Sequence, residues 1–115
     1  MSEIKELTKL INKFYDDRDW HQFHNHKDIA LSLVLEVAEV LEHFQWKTRE
    51  EAIKYAKTNK EEIGEEIADV AVYLLTLSDA IGLDLKQAIE KKMVKNAQKY
   101  PIEKSKGNNK KYTQL

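Results

Sequence analysis

The sequence predicts an all-α protein with four to five helices. The residue types Ala, Glu, Lys, Leu and Arg fill 53 of the 115 positions, whereas the chain has 3 glycines and 1 proline. An all-β domain needs a turn about every 8–12 residues, and therefore more of both turn formers. Apolar side chains also recur at spacings of three and four, which is the period of one helix face.

The first helix is predicted over about residues 3–17, because apolar side chains there share one face and Ser2 is placed to cap the first turn. Residues 16–27 interrupt the helical period and carry large aromatic side chains where a flexible linker would have Gly and Ser. We expect an ordered connector here, followed by a second helix over about residues 28–45.

Capping signals position the next two helices. Residues 48–51 form the Thr-x-x-Glu pattern of a capping box, which predicts a short helix to about Lys57. Asn59 and the Glu three residues later give a second capping signal for a long helix over about residues 60–81. Gly82 is expected to end it, because glycine readily adopts the left-handed conformation that closes many helices.

The last helix is predicted over about residues 85–99, with Asp84 as its cap and Pro101 just beyond its end. Residues 102–115 are rich in lysine and polar side chains, which favours a flexible, solvated segment. We therefore predict one domain over residues 1–101 and a basic C-terminal tail over residues 102–115.

Composition excludes several functional classes. The chain has no cysteine, which rules out disulfides, thiol catalysis and cysteine-bound zinc. Its net charge of −1 gives no overall positive field for nucleic acid. The longest uncharged run, residues 70–78, is too short to cross a bilayer, and no apolar signal segment opens the chain. We expect a soluble cytoplasmic protein that binds neither nucleic acid nor membrane.

Acidic residues are segregated in the second and fourth predicted helices. No Lys or Arg lies between Lys27 and Lys47, or between Lys60 and Lys86. A solvated helix face usually mixes both signs, because acid–base pairs one turn apart stabilise it. Helices that forgo such pairs are candidates for binding a cation.

Four of these acids have the spacing of a metal site. Glu36 and Glu39 are three residues apart, as are Glu66 and Asp69, so each pair projects from one side of its helix. Packing the two helices antiparallel would bring four carboxylates together, and their repulsion calls for a cation. Mg²⁺ suits hard oxygen ligands and keeps water and substrate phosphate in its shell, and bridging carboxylates would allow two ions.

Two further interpretations concern the faces of these helices. Glu36 and Glu39 share a polar stripe with Ser32 and His43, so the acids also fit an ordinary solvated face. Apolar residues spread around more of both helices than one monomer can cover. We therefore predict a four-helix-bundle core completed by dimerisation, in a homodimer or a homotetramer.

Five sequence blocks follow one another in a specific order along nearly the whole chain. They are Arg18–His24, Glu36–Glu39, Phe44–Lys47, Glu65–Tyr73 and Lys92–Pro101. In this order they resemble the MazG-like all-α nucleoside triphosphate pyrophosphohydrolases, and among these the dCTP pyrophosphatase branch. A Glu-x-x-Glu and Glu-x-x-Asp pair alone is common in acidic helices, whereas the five blocks together are specific.

The resemblance implies Mg²⁺-dependent hydrolysis, with Mn²⁺ as a substitute, of a nucleoside triphosphate to the monophosphate and pyrophosphate. The expected substrate is dCTP or a modified pyrimidine deoxynucleotide, and the expected role is cleansing of the nucleotide pool. The implied metal ligands and catalytic residues are Glu36, Glu39, Glu66 and Asp69. Either Glu36 or Glu39 would take the proton of the attacking water.

The resemblance also implies substrate-binding residues. Trp20, Phe23, Trp46 and Tyr73 are candidates to stack on the base, since each base–aromatic contact contributes about 1–3 kcal/mol. Tyr73 lies four residues after Asp69 and so shares its helix face.

Further candidates contact the base or the phosphates. His24 could donate a hydrogen bond to either. In the last helix the candidates for phosphate contacts are Lys92, Lys95 and Asn96, for which a solvated face is the alternative.

Two other functions stay open: a house-cleaning pyrophosphatase of broad specificity, and a non-catalytic helical dimerisation module. A Walker-type NTPase is excluded, because Gly64, Gly82 and Gly107 are too far apart to form a phosphate loop.

Overall fold

The regular structure of the chain is helical, as a computed structural model of residues 2–115 shows. Its α-helices are α1 (Glu3–Asp17), α2 (His26–Glu42), α3 (Arg49–Thr58), α4 (Lys60–Ala80), α5 (Leu85–Lys99) and α6 (Ile102–Ser105). Single 3-10 turns lie at His21–Phe23 and Tyr112–Gln114. The predicted all-α fold is confirmed. Within the described range no helix is long and apolar enough to cross a membrane.

The chain folds as two compact units. The first runs to Gly82 and contains α1 to α4, and the second is Leu83–Leu115. Helix α4 is the centre of the first unit, since α1, α2 and α3 all pack on it and its contact with α2 is the most extensive. The buried apolar side chains among the described residues are Tyr15, Ile29, Ile63 and Leu75.

Three predicted helix starts are confirmed by their caps. The side chain of Ser2 accepts from the Lys5 N–H, and that of Asp84 accepts from the Gln87 N–H. Thr48 and the acid three residues on form the complete capping box at the start of α3. The predicted end of α4 also holds, because Gly82 adopts a left-handed φ of 70° directly after it.

One cap prediction and one predicted helix start were wrong. Asn59 does not cap α4, because its side-chain amide instead donates to the Tyr55 carbonyl at the end of α3. Helix α2 begins at His26 and not at residue 28, because Asn25 accepts from the Asp28 N–H and so supplies an earlier cap.

Helix α2 also ends earlier than the predicted residue 45. Helix α2 stops at Glu42, and residues 43–46 form turns that include a hydrogen bond from the Phe44 N–H to the Leu41 carbonyl. The connector after α1 is ordered, as predicted.

The C-terminal segment is not the irregular chain that its composition favours. Pro101 precedes α6, and the ring of Tyr112 packs edge-on against Tyr100 with centroids 6.1 Å apart. The Lys99 ammonium lies 4.9 Å from the centroid of the Tyr112 ring. These aromatic contacts explain the order of residues 102–115, because they hold the segment against the end of α5. The domain boundary at residue 101 stays a prediction.

A buried hydrogen bond fixes α1 on α4. The Tyr15 hydroxyl lies 3.0 Å from the Thr76 hydroxyl, and Thr76 in turn donates to the Val72 carbonyl at 2.7 Å. Thr76 has a single proton, so Tyr15 must be the donor between the two hydroxyls. Tyr15 is 5% exposed, and its hydroxyl has no ready access to water.

We expect Thr76→Val to destabilise the protein more than Tyr15→Phe does. Tyr15→Phe removes one hydrogen bond, at a cost of about 1 kcal/mol, whereas Thr76→Val leaves a buried hydroxyl without an acceptor, at about 1–3 kcal/mol. The double variant should therefore cost less than the sum of the two. Urea denaturation followed by circular dichroism measures all three, and strictly additive costs would contradict the hydrogen bond.

Candidate functional site

The four predicted acidic residues form one electrostatic cluster between α2 and α4. The pKa of Glu36 is raised by its burial first, then by a hydrogen-bonding contact with Glu39 and by the charges of Glu39, Asp69 and Glu66. Neighbouring carboxylates repel unless a proton or a cation lies among them, because neither ionised group can donate. The structure thus brings together the acids that sequence spacing paired.

One carboxylate oxygen in this acid cluster lacks any donor. Oε2 of Glu36 is buried, and no described residue donates a hydrogen bond to it. A buried polar atom without a partner is costly, so this oxygen is available to a proton or a cation. Among residues 2–115 no three acidic or histidine side chains already surround one point closely enough to hold an ion. The cluster fits a divalent cation by its oxygen donors and charge, and it is not a closed cage.

A histidine contacts the acid cluster from the end of α2. Nε2 of His43 makes a close ion-pair contact with Oε2 of Glu66, and neither of these buried atoms has a hydrogen-bond partner of standard geometry in the described chain. The other ring nitrogen, Nδ1, lies 2.8 Å from the hydroxyl of Tyr55 on α3. The Lys47 ammonium lies 4.0 Å from the centroid of the Tyr55 ring. Three segments of the chain therefore converge on Glu66.

An aromatic pocket of about 400 Å³ adjoins the acid cluster. Its lining comes from α1, the connector and α4, namely Leu10, Ile11, Phe14, Tyr15, Trp20, Asp69, Val72 and Tyr73. Asp69 is the single acidic residue in this lining and also belongs to the acid cluster. The pocket therefore offers flat apolar surface on one side and a carboxylate on the other.

Two of the predicted substrate-binding aromatics line this pocket. Trp20 packs edge-on against Phe14 with ring centroids 5.5 Å apart and remains 44% exposed, so part of its surface is free to contact a ligand. The pKa of Tyr73 is raised by burial first and then by Tyr15, Glu36 and Asp69. Tyr73 therefore keeps its proton at neutral pH and can donate a hydrogen bond.

His24 stands behind the pocket wall. Its ring packs edge-on against Tyr15 with centroids 4.5 Å apart, and it is not part of the lining. Burial and, to a lesser extent, the neighbouring His21 lower the pKa of His24. The imidazole is therefore neutral at pH 7, with one donor and one acceptor nitrogen.

Other predicted substrate-binding residues lie outside the pocket. Trp46 follows α2 and is 87% exposed. Lys92, Lys95 and Asn96 lie on α5 in the second unit, where both lysines are exposed and the Asn96 amide contacts the sulfur of Met93 at 3.8 Å. Substrate-binding roles for these four residues stay predictions.

Sequence reasoning missed much of the pocket wall and the contact to Glu66. In the sequence, Phe14 fits the apolar stripe of the first helix and Tyr15 directly follows it, and two adjacent aromatics cannot both face one helix stripe. His43 was recognised as part of the polar stripe, but its partner Tyr55 is on another helix. No local pattern signals that pairing.

Known proteins resemble this chain over most of its length. The model of the MazG-like family matches residues 31–115. Mouse dCTP pyrophosphatase 1 is 40% identical over 114 residues, which cover 97% of this chain and 67% of the relative. The human protein of the same name is 36% identical over the same coverage.

A solved structure shares the fold as well as the sequence. The crystal structure of a pyrophosphatase from Archaeoglobus fulgidus is 40% identical, with a TM-score of 0.83, and the match covers 88% of this chain and 94% of that one. The family model, the relatives and the solved structure each match most of this chain. The resemblance seen in the five sequence blocks is therefore confirmed. The chain belongs to the MazG-like family.

Proposed function

We propose that this protein hydrolyses a nucleoside triphosphate, with dCTP or a modified pyrimidine deoxynucleotide preferred, to the monophosphate and pyrophosphate. The observation that carries the proposal is the position of Asp69, which belongs both to the acid cluster and to the aromatic pocket wall. A nucleotide has the matching polarity, with a flat base at one end and phosphates that require cations at the other. The mouse and human relatives named for dCTP and the archaeal pyrophosphatase support the same reaction.

The acid cluster would bind Mg²⁺, with Mn²⁺ as a substitute. The donors are the carboxylates of Glu36, Glu39, Glu66 and Asp69, which are the hard oxygen ligands that Mg²⁺ prefers, and Glu36 has a buried oxygen free of any donor. When bound, a divalent ion neutralises triphosphate charge and lowers the pKa of a coordinated water.

The chain's own residues position the substrate and accept a proton. The oxygen of water attacks the α-phosphorus, the bond from that phosphorus to the bridging oxygen breaks, and pyrophosphate leaves with the electron pair. The proton of the attacking water passes to Glu36 or Glu39. Trp20 and Phe14 would hold the base by stacking, and the Tyr73 hydroxyl would donate to the nucleotide.

Broad specificity is the second candidate. Aromatic stacking accepts every base, and the pocket lining carries few polar groups that could read one. A panel of eight nucleotides separates dCTP preference from general house-cleaning activity. We propose the cytoplasm as the compartment, because free nucleotides are the substrate.

We expect the protein with Mg²⁺ to convert dCTP to dCMP and pyrophosphate, and Glu39→Gln to lower turnover by roughly 10²–10⁴-fold. The substitution keeps the shape of the side chain and removes a charge that positions metal and water. Glu42→Gln is the matched control, since it removes the same charge from an exposed position on the same helix. Chromatographic product analysis measures both. Near wild-type turnover of Glu39→Gln would make the acid cluster a solvated face and favour the non-catalytic module.

Trp20→Ala should raise KM for dCTP with little change in kcat. Loss of a stacking surface used equally in ground and transition states costs about 1–3 kcal/mol, which is roughly 5–150-fold in KM. Phe23→Ala in the same connector is the control, because this ring is 68% exposed and outside the pocket. Steady-state kinetics would contradict the pocket assignment if the two variants behaved alike.

We also propose that the protein is a homodimer or a homotetramer. Twenty-two large apolar side chains are exposed among the described residues, against four that are buried. On α2 they form a continuous face made of Leu31, Val34, Leu35, Val37 and Leu41. A surface of this kind needs a covering partner. The predicted role of Trp46 is compatible with a pocket completed by the second copy.

Light scattering at micromolar concentration should give a mass at least twice the 13.5 kDa of one chain. Leu35→Glu should dissociate the assembly, because it buries a charge in the apolar face of α2. Lys54→Glu, at an exposed position on α3, is the control. A monomeric mass for the wild type would contradict the proposal.

A further inference from the structure

We propose that His43 is a positioning residue that holds one oxygen of Glu66, so that the other is presented to the divalent cation. The inference rests on the proposed function, because it concerns how the acid cluster of that reaction is oriented. It also assigns a role to Tyr55 and, through it, to helix α3.

The protons of this network can be assigned from its chemistry. An ionised Glu66 can only accept, so the His43 Nε2 atom facing its Oε2 carries the proton. When the ring carries that proton alone, Nδ1 is the acceptor and the Tyr55 hydroxyl at 2.8 Å is its donor. The contacts run from Tyr55 by a hydrogen bond to His43, and from His43 by an ion-pair contact to Glu66.

The contact with His43 leaves Glu66 with one available oxygen. Oε2 is buried and pairs with Nε2 of His43, so Oε1 is the oxygen that would face the cation. A carboxylate that ligates a metal is commonly oriented by a hydrogen bond from a neighbouring group, and loss of that group typically weakens metal affinity or activity by about 10–100-fold. His43 stands in that relation to Glu66.

The surroundings make the His43 ring rigid. Its side chain is 12% exposed, and its centroid lies 5.5 Å from that of Tyr55. Tyr55 is held in turn by an edge-on contact with Phe44, at 6.4 Å between centroids, and by the ammonium of Lys47. A ring with little freedom loses little entropy when it fixes Glu66, which is what precise orientation of a ligand requires.

The test is a Mn²⁺ titration by electron paramagnetic resonance, with the dCTP analogue that carries an imido group between its α- and β-phosphates. We expect His43→Leu to weaken Mn²⁺ binding about 10–100-fold. His43→Gln places an amide N–H near the position of Nε2 and should recover most of the loss. Tyr55→Phe keeps the ring and should give a smaller effect. His26→Leu, at an exposed position in the first turn of α2, is the matched control.

Steady-state kinetics supply the second readout. If His43 positions Glu66, His43→Leu raises the Mg²⁺ concentration needed for half-maximal turnover and leaves KM for the nucleotide nearly unchanged. Melting temperatures without metal identify a variant that has simply lost its fold, and His43→Gln then decides. Mn²⁺ affinity in His43→Leu equal to that of the wild type, or no recovery in His43→Gln, would overturn the inference. A wild type that binds Mn²⁺ and releases no pyrophosphate would overturn the proposed reaction alone.

Discussion

Repulsion among four carboxylates is the constraint on which the rest of the first unit depends. Glu39, Glu66 and Asp69 all act on Glu36, and no lysine or arginine of α2 or α4 beyond their first residues offsets these charges. The helices that carry the acids must therefore be held together by other means. Helix α4 achieves this by packing on α1, α2 and α3, with Ile63 and Leu75 among its buried residues. The apolar contacts keep the acids close, and the acids keep the site attractive to a cation.

The parts of this fold that the sequence predicts are those whose cause lies within a few neighbouring residues. Ser2, Thr48 and Asp84 each satisfy backbone N–H groups within their own first turn, so their effect is visible in a few residues. Asn59 has the same appearance, yet its amide reaches back to the preceding helix, because α3 and α4 are nearly continuous there. The four acids could be found because three-residue spacing within one helix is also local information.

The pocket and the contact to Glu66 could not be found in this way. The pocket arises where α1 packs on α4. The buried hydrogen bond between Tyr15 and Thr76 fixes this packing, and it joins residues 61 positions apart in sequence. The His43–Tyr55 pairing likewise depends on how α3 folds back toward the end of α2. In both cases the side chains fit a bland local pattern, an apolar stripe or a polar one. Only packing brings them to the site.

The residues around the acids show how a cluster can be oriented without being neutralised. His43 and Tyr73 both offer an N–H or O–H group to this region, and neither needs to bring a positive charge. A lysine or arginine at the place of His43 would also hold Glu66, but it would cancel charge that the cation is needed to balance. The absence of Lys and Arg from these segments and the use of neutral donors therefore have the same effect, which is to keep the negative charge of the acid cluster for a cation. Glu66 is held by its ion-pair contact with His43, while Glu36 keeps a buried oxygen to which no described residue donates. A cation bound between these residues would find Glu66 already oriented and an oxygen of Glu36 still without a partner.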